Sequence, residues 1–519
     1  MMPQLPALGR AAGASLIALA LAGTLPAAAQ TAPKRGGNLT YAYISGPGTL
    51  DPQMTGNLVE MEVIHHIFEG LVAMDENYQA KPMLAEKIDV SPDAKVFTFK
   101  LRSGIVFHNG KKMTSADVLA TYERYAKIST NNAILANVEG YDTPDPLTFV
   151  IRLKAPNPVF LDQLKSPTYP LGIMPSEQKE KPPREADVIG TGPYKLGDWV
   201  RDSHLVIRRF DDYAQNMAYP GIDGYAGRRI AYLDSVRYNF VPEANARIAA
   251  LQAGDADVIG DVLVDLVPRL KGRTDLATQE VYPYCQHVIV LHSQNPPTNN
   301  VMIRRAVQAV AVTEDLALST GQIFRLNPSL TYAGSPYNPG DAVKKFYQIG
   351  SVEKAKDLLK QGGYKGEKIV IQTNANYGYM KNSMLALAEE LKAAGANVEV
   401  QVLDWVTNSN NMQKGTGGWN ISTTGFCSQP LLGPQQWRPM IYNFSSIKDD
   451  AKLDDAYGRF FSSPKLEDRQ AAWKEAETHV LEDAYFIKVS DMGQIRAFNK
   501  KVVGLRPYYL VRFWDVSLN

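Results

Sequence analysis

At 519 residues, 45% of them hydrophobic, the chain exceeds what one ordinary core organises, and two or more lobes are expected. Lys and Arg number 55 against 54 Asp and Glu. That balance supplies neither the basic field of sequence-independent nucleic-acid binding nor polybasic attraction to anionic membrane.

At the N-terminus Arg10 closes a short basic segment, residues 11–25 are apolar, and Ala27, Ala28 and Ala29 precede Gln30. This is the layout of a cleaved signal peptide over residues 1–29. The apolar run is shorter than the roughly 20 residues of a membrane span. No cysteine follows it, so release without a lipid anchor is expected. Arg10 is the one charge in the segment, and its removal leaves 54 basic against 54 acidic residues.

Residues 38–44 alternate as a strand and are broken by Ser45, Gly46, Pro47 and Gly48. Over residues 58–71 the apolar Val59, Val63, Ile64, Ile67 and Leu71 fall at helical spacing. Residues 96–101 read as a strand ended by Ser103 and Gly104. Thr114 and Asp117 have the spacing of a capping box and predict a helix start. Pro-rich stretches at 143–146 and 155–158 mark loops on either side of a strand at 147–153. Further on, Val352, Ala355, Leu358 and Leu359 predict a helix over 351–361, stopped by Gly362 and Gly363. A strand at 368–372, a helix to Ala394 stopped by Gly395, and alternating Val398, Val400 and Val402 complete a β-α-β order. That order predicts a parallel α/β lobe.

Catalytic signatures are missing: the sequence has no G-x-S-x-G elbow, no P-loop and no zinc pattern. The cluster Gly415, Thr416, Gly417, Gly418 lacks the lysine of a phosphate cradle and runs directly into Trp419. The seven histidines are His65, His66, His108, His204, His287, His292 and His479, and none forms a paired motif with an intervening acid. No metal, no cofactor and no catalysis are therefore expected. The remaining alternatives are a secreted hydrolase with dispersed residues and a chaperone-like holder of unfolded chains. Two cysteines, Cys285 and Cys427, remain for an oxidising compartment. Their even number points to a bridge, with two separate buried thiols as the alternative.

Several short runs recur in a telling order. Gly36 and Gly37 come first, then Thr49, Leu50, Asp51 and Pro52, then Phe68, Glu69, Gly70 and Leu71. Residues 82–86, residues 107–118, the turn Gly190, Thr191, Gly192, Pro193, Tyr194 and residues 299–306 follow. In order and spacing the chain resembles the extracytoplasmic solute-binding proteins of family 5, which serve peptide, opine and nickel ABC importers. The resemblance implies an α/β, bilobed periplasmic-binding-protein fold of the class II type, with three domains and a hinge between the lobes. It divides the mature chain into domain I (30–63, 189–284 and 495–519), an inserted domain II (64–188) and a second lobe, domain III (285–494). The chain crosses the hinge near Cys285 and returns near Ala497. The expected partners are a small-molecule ligand and an inner-membrane ABC permease complex, with a monomer in the periplasm and no nucleic acid.

The oligopeptide-binding branch of that family implies a disulfide between Cys285 and Cys427. Two residues beyond its second cysteine, that branch places an aspartate against the ligand's α-amine. Here the position is Gln429, and no acid lies between Trp419 and Tyr442. An ammonium buried without a carboxylate is costly, and an amide supplies no countercharge. The resemblance thus implies a neutral or anionic solute, such as an opine, a sugar conjugate or a modified peptide. The alternative is an oligopeptide- or dipeptide-binding protein with an atypical amine site. The expected ligand contacts are Ser45 and Gly46 at the end of the first strand, Gln429, the aromatic Trp419, Phe426 and Trp437, and Arg438 against an anionic group.

Overall fold

The computed structural model describes residues 33–519 apart from Thr130, Tyr169 and Ser428, and without the side chains of Gln429 and Pro430. The expected signal segment, residues 1–29, lies outside the described residues.

An eleven-stranded mixed sheet runs through the molecule. Its order is 397–403, 368–374, 421–426, 276–291, 486–499, 258–259, 38–43, 235–240, 204–209 and 194–200, with 324–325 added beside 486–499. Two of these strands are far longer than the rest: Leu276–Leu291 has 16 residues and Phe486–Asn499 has 14. They pair antiparallel from Leu276 opposite Asn499 to Val290 opposite Phe486, with register shifts at Val281/Cys285 and His287/Val288. One end of this ladder joins Val258–Ile259 of the first lobe and the other joins Ile421–Phe426 of the second. The lobes are therefore connected through hydrogen-bonded strands.

The β-α-β unit forms as the sequence predicts. Ser351 caps the helix Val352–Gln361 by accepting from the Lys354 amide at 3.1 Å. The strands Lys368–Asn374 and Asn397–Leu403 pair in parallel around the helix Gly378–Ala393. Side chains from both faces fill the second lobe's cores, including Ile289, Leu291, Ile369, Ile371 and Leu387 on one side and Val288, Trp419, Trp437, Trp473 and Phe486 on the other. A separate antiparallel sheet, 85–90, 96–101, 148–153 and 138–145, has its own core around Phe97, Phe99, Tyr122, Phe149 and Ile151. The alternating burial of Val96–Leu101 is the expected period of two. The helix Ser115–Ile128 starts where the capping box predicts, Asp117 accepting from the Thr114 amide at 2.9 Å.

One predicted element needs correction. The helix expected over 58–71 ends at Ile67, where Phe68 turns extended, and Val72–Met74 is a strand. The cause is non-local. Gly192 donates its amide to the Ile67 carbonyl at 2.9 Å, so the turn at 190–194 takes over the acceptor that another helical turn would use. His108 fastens this turn, donating from Nε2 to the Gly192 carbonyl at 3.0 Å and accepting at Nδ1 from the Gly190 amide at 3.3 Å. Nearby, Asp51 pairs with Arg124 at 2.7 Å, both side chains fully buried. The recurrent runs at 49–52, 107–110 and 190–194 are joints of the scaffold.

Candidate ligand-binding cleft

Open α/β sheets take ligands outside the carboxyl ends of their parallel strands, where loops diverge and backbone groups are unpaired. In the first lobe the parallel set is Asn38–Tyr43 with Ser235–Phe240 and Val258–Ile259. Its carboxyl ends deliver Ser45, Val241 and Asp261 to one edge. In the second lobe Lys368–Asn374, Asn397–Leu403 and Ile421–Phe426 run parallel and deliver Ala375, Asp404 and Cys427 to theirs. The two edges meet. Tyr284 and Cys427 pack against the first lobe's core, which holds Tyr41, Tyr43 and Tyr238.

Cys285 and Cys427 form the disulfide at this junction, as the resemblance implied. Beyond it, Tyr78 of the first lobe side lies 5.0 Å from the Tyr332 ring and stacks on Tyr508 at 5.6 Å. Tyr332 also donates to the Asn77 carbonyl at 3.4 Å. Next to these rings is a cavity of about 140 Å³ whose walls include Tyr78, Lys165, Tyr332, Leu432 and Arg469. Lys165 is already paired, its Nζ 2.7 Å from Asp162.

On the hinge side the seam is lined by phenols and acids. Tyr41 donates to Glu62 at 3.3 Å, the Val511 amide reaches the same carboxylate at 3.4 Å, and Arg496 lies 3.9 Å away. Burial pushes the Glu62 carboxyl above its usual range, with Arg496 opposing. Asp261 accepts from the Gln494 amide at 2.6 Å. Tyr284 is a neighbour of Asp261, Glu62 and Tyr379, and burial raises its phenol well above the usual value.

The expected contact residues are distributed unevenly about this cleft. Ser45 is exposed at the first lobe's edge, with Gly46 against the Phe240 ring. Gln429 opens the short helix Gln429–Leu432 directly after the disulfide, and Leu431, Leu432 and Gly433 of that segment line the cavity. Phe426 lies inside the second lobe's core, its ring 5.0 Å from Trp437 and 5.5 Å from Phe444. Trp437 is likewise fully buried in that core. Trp419 precedes the strand Ile421–Phe426 and so stands at its far end from the cleft. It is fully buried, donates to the Asn411 carbonyl at 3.2 Å and packs on His292. Arg438 is half-exposed, with its guanidinium on Asp454 at 2.6 Å and over the Tyr442 ring. Asp454 thus holds the charge assigned from the sequence to an anionic solute.

Asp261, Glu62, Tyr284 and Gln494 did not figure among the residues expected from the sequence. The one local sign is an acid placed just after a glycine that ends the short apolar run Val258, Ile259. His65, His66, His287, His292 and His479 are buried. His287 bonds Thr423 at 2.8 Å and burial lowers its pKa to about 3. Among the described residues no group of three or more His, Cys, Asp or Glu is arranged to hold a metal ion. Nor is any helix of the described residues long and apolar enough to cross a membrane.

Residues 79–439 match the profile of the bacterial extracellular solute-binding proteins, family 5. The chain belongs to this family. It is 25% identical over 517 residues to the glutathione-binding protein GsiB of Escherichia coli K12, covering 94% of this chain and 95% of that protein. Among solved structures it is similar to AgaA from A. tumefaciens R10 in complex with agropinic acid (24% identity, TM-score 0.73, 93% of this chain and 99% of that one). It is also similar to DppA from Helicobacter pylori in complex with the peptide STSA (21% identity, TM-score 0.74, 93% and 98%). The bilobed α/β fold expected from the sequence is that of these periplasmic binding proteins. Members of the family are substrate-binding components of ABC importers, and this is the function class of the chain.

Proposed function

We propose that this protein captures a small polar solute in the periplasm by closing its lobes and delivers it chemically unchanged to an inner-membrane ABC permease. It acts as a monomer, starts at Gln30 after removal of residues 1–29, and uses neither metal nor cofactor nor nucleic acid. The observation that carries this reading is the meeting of two sets of carboxyl strand ends across one disulfide-braced seam. Domain interfaces of this kind supply deep pockets, and lobe closure gives a permease a loaded form to distinguish from an empty one.

Ser45, Gly46 and Gln429 contact the solute from opposite edges, while Phe426 and Trp437 support the second edge from within. Trp419 and Arg438 fall outside the contact set because each is engaged elsewhere. The three-domain division is supported by the separate cores, although Ile64, Ile67, Phe68, Met74 and Met174 of the stretch 64–188 pack in the first lobe's core. Peptides, opines and sugar conjugates are the solute classes, in keeping with relatives named for glutathione and solved with agropinic acid or a peptide.

Native mass spectrometry of the protein from its own periplasm tests this. A single stoichiometric adduct, released intact, is expected, and Gln429→Ala should weaken its rebinding about tenfold. Release of a cleaved product instead would identify a hydrolase, and broad occupancy by unfolded chains a chaperone-like holder.

A further inference from the structure

The loop after Cys427 carries no acid, and on that ground an ammonium-bearing solute was not expected. The fold supplies a carboxylate from elsewhere. Asp261 leaves the first lobe's sheet one step beyond Gly260, at the level where the neighbouring strand Asn38–Tyr43 ends towards Ser45. Its position is fixed from two sides. The Gln494 amide donates to Oδ1 at 2.6 Å, and the Val262 amide next to it bonds the Ile495 carbonyl at 3.0 Å. Gly260 is held against Tyr41, whose hydroxyl would lie 2.5 Å from any Cβ at that position. Asp261 itself stands at φ 49°, a left-handed conformation that aspartate tolerates better than most residues.

Three observations indicate that this carboxylate lacks a partner it is built to receive. Among the described residues no cation lies within 4 Å of it, in contrast to Glu62, which has Arg496 at 3.9 Å. Arg247 runs close by but is spent on backbone carbonyls, those of Val241, Pro242, Gly260 and Asp261, at 2.6 to 3.3 Å. Beside the acid a buried polar atom is also unsatisfied: Oε1 of Gln494, whose amide nitrogen holds Asp261. Gln494 is buried, with 7% exposure. A carboxylate without a cation beside an idle amide oxygen is rich in acceptors, and its complement is a group with several N–H donors and a positive charge.

We infer that Asp261, positioned by Gln494 and neighboured by Tyr41 and Tyr284, is the countercharge for a protonated amine of the solute. This rests on the proposed solute-binding function and specifies its ligand as an amine-terminated, peptide-like molecule. The ammonium is held from the first lobe, at the hinge side of the cleft, and the position of Gln429 needs no charge.

The mature protein would be titrated calorimetrically with a dipeptide pool, a tripeptide pool and glutathione, each beside its N-acetylated counterpart. Free amines should bind at least tenfold more tightly than acetylated forms. Asp261→Asn, nearly isosteric, should melt within a few degrees of the wild type and lose that preference, leaving the two forms equal. Asp261→Glu should restore part of it. Equal weakening of free and acetylated ligands would mark Asp261 as structural and overturn the inference, as would a preference surviving in Asp261→Asn or no binding of any free amine. Failure here leaves the solute-binding function to the separate test of the periplasmic adduct, which can succeed with an amine-free solute.

Discussion

Gly192 sits so close beneath the end of the helix Leu58–Ile67 that a Cβ on it would lie 2.4 Å from the His66 carbonyl oxygen. Gly190 is tighter still, 2.1 Å from the Ile67 carbonyl oxygen. Both contacts are with backbone, which cannot rotate away. Gly190→Ala or Gly192→Ala should therefore destabilise the fold by ~3 kcal/mol. Urea unfolding checks this, and a midpoint unchanged from wild type would show that the turn can move off the helix.

The disulfide closes a loop across a sequence separation of 142 residues. In the chain-entropy model such a bridge stabilises by roughly 5 kcal/mol, with strain and residual structure reducing the measured value. Replacing both cysteines by alanine should lower unfolding stability by about 2–5 kcal/mol. Thiol titration of the unfolded, unreduced wild type should find no free thiol.

Glu477 is fully buried, with Oε1 accepting from the Leu330 amide at 2.6 Å and Oε2 without a partner. Burial is the dominant cause that raises its pKa to about 7, while Leu330, Ser329 and Lys488 oppose it. A carboxyl raised on folding binds its proton more tightly in the folded state. Its contribution is full below the unfolded value near 4.5 and is lost as pH rises through about 7. Relative to wild type, Glu477→Gln should gain stability between pH 5 and pH 8, on the order of 3 kcal/mol. Guanidinium melts of both proteins at the two pH values measure the difference, and a pH-independent difference would contradict it.

Tyr78 touches Tyr332 and Tyr508 and so ties the two sides of the cleft through aromatic contact, its hydroxyl reaching the Tyr282 carbonyl at 3.5 Å. Removing one such ring costs about 0.5–1.5 kcal/mol beyond lost area, and here that cost falls on lobe contact. Tyr78→Ala should shift the ligand-free protein to a larger radius of gyration in small-angle X-ray scattering and speed solute release. An unchanged scattering curve would mean that the hinge alone sets the lobe angle.

Local features were legible in the sequence because a few neighbouring residues determine them. Ser351 with its helix, Gly395 with its stop and the alternating valines of Asn397–Leu403 each act within one or two turns of chain. The helix end at Ile67 was misjudged because its cause, Gly192, lies more than a hundred residues away. Trp419 illustrates a subtler failure. Its nearness to Cys427 in sequence suggested nearness in space, yet the six-residue strand Ile421–Phe426 carries the chain about 20 Å between them. Asp261 was missed for the converse reason, since it meets Gln494 across 233 positions. The scaffold followed from patterns, whereas the charge of the cleft came from juxtaposition.

Leu276–Leu291 and Phe486–Asn499 share one ladder as they pass between the lobes. A twist that sheared one strand along the other would break many of its bonds together, while bending across the sheet would strain each a little. The register shift between Val281 and Cys285 interrupts the ladder beside the Cys285–Cys427 bridge. In the proposed closure, flexure would concentrate over the few residues at this interruption and follow one arc. A permease facing such a protein can read occupancy from the distance between two points on its surface.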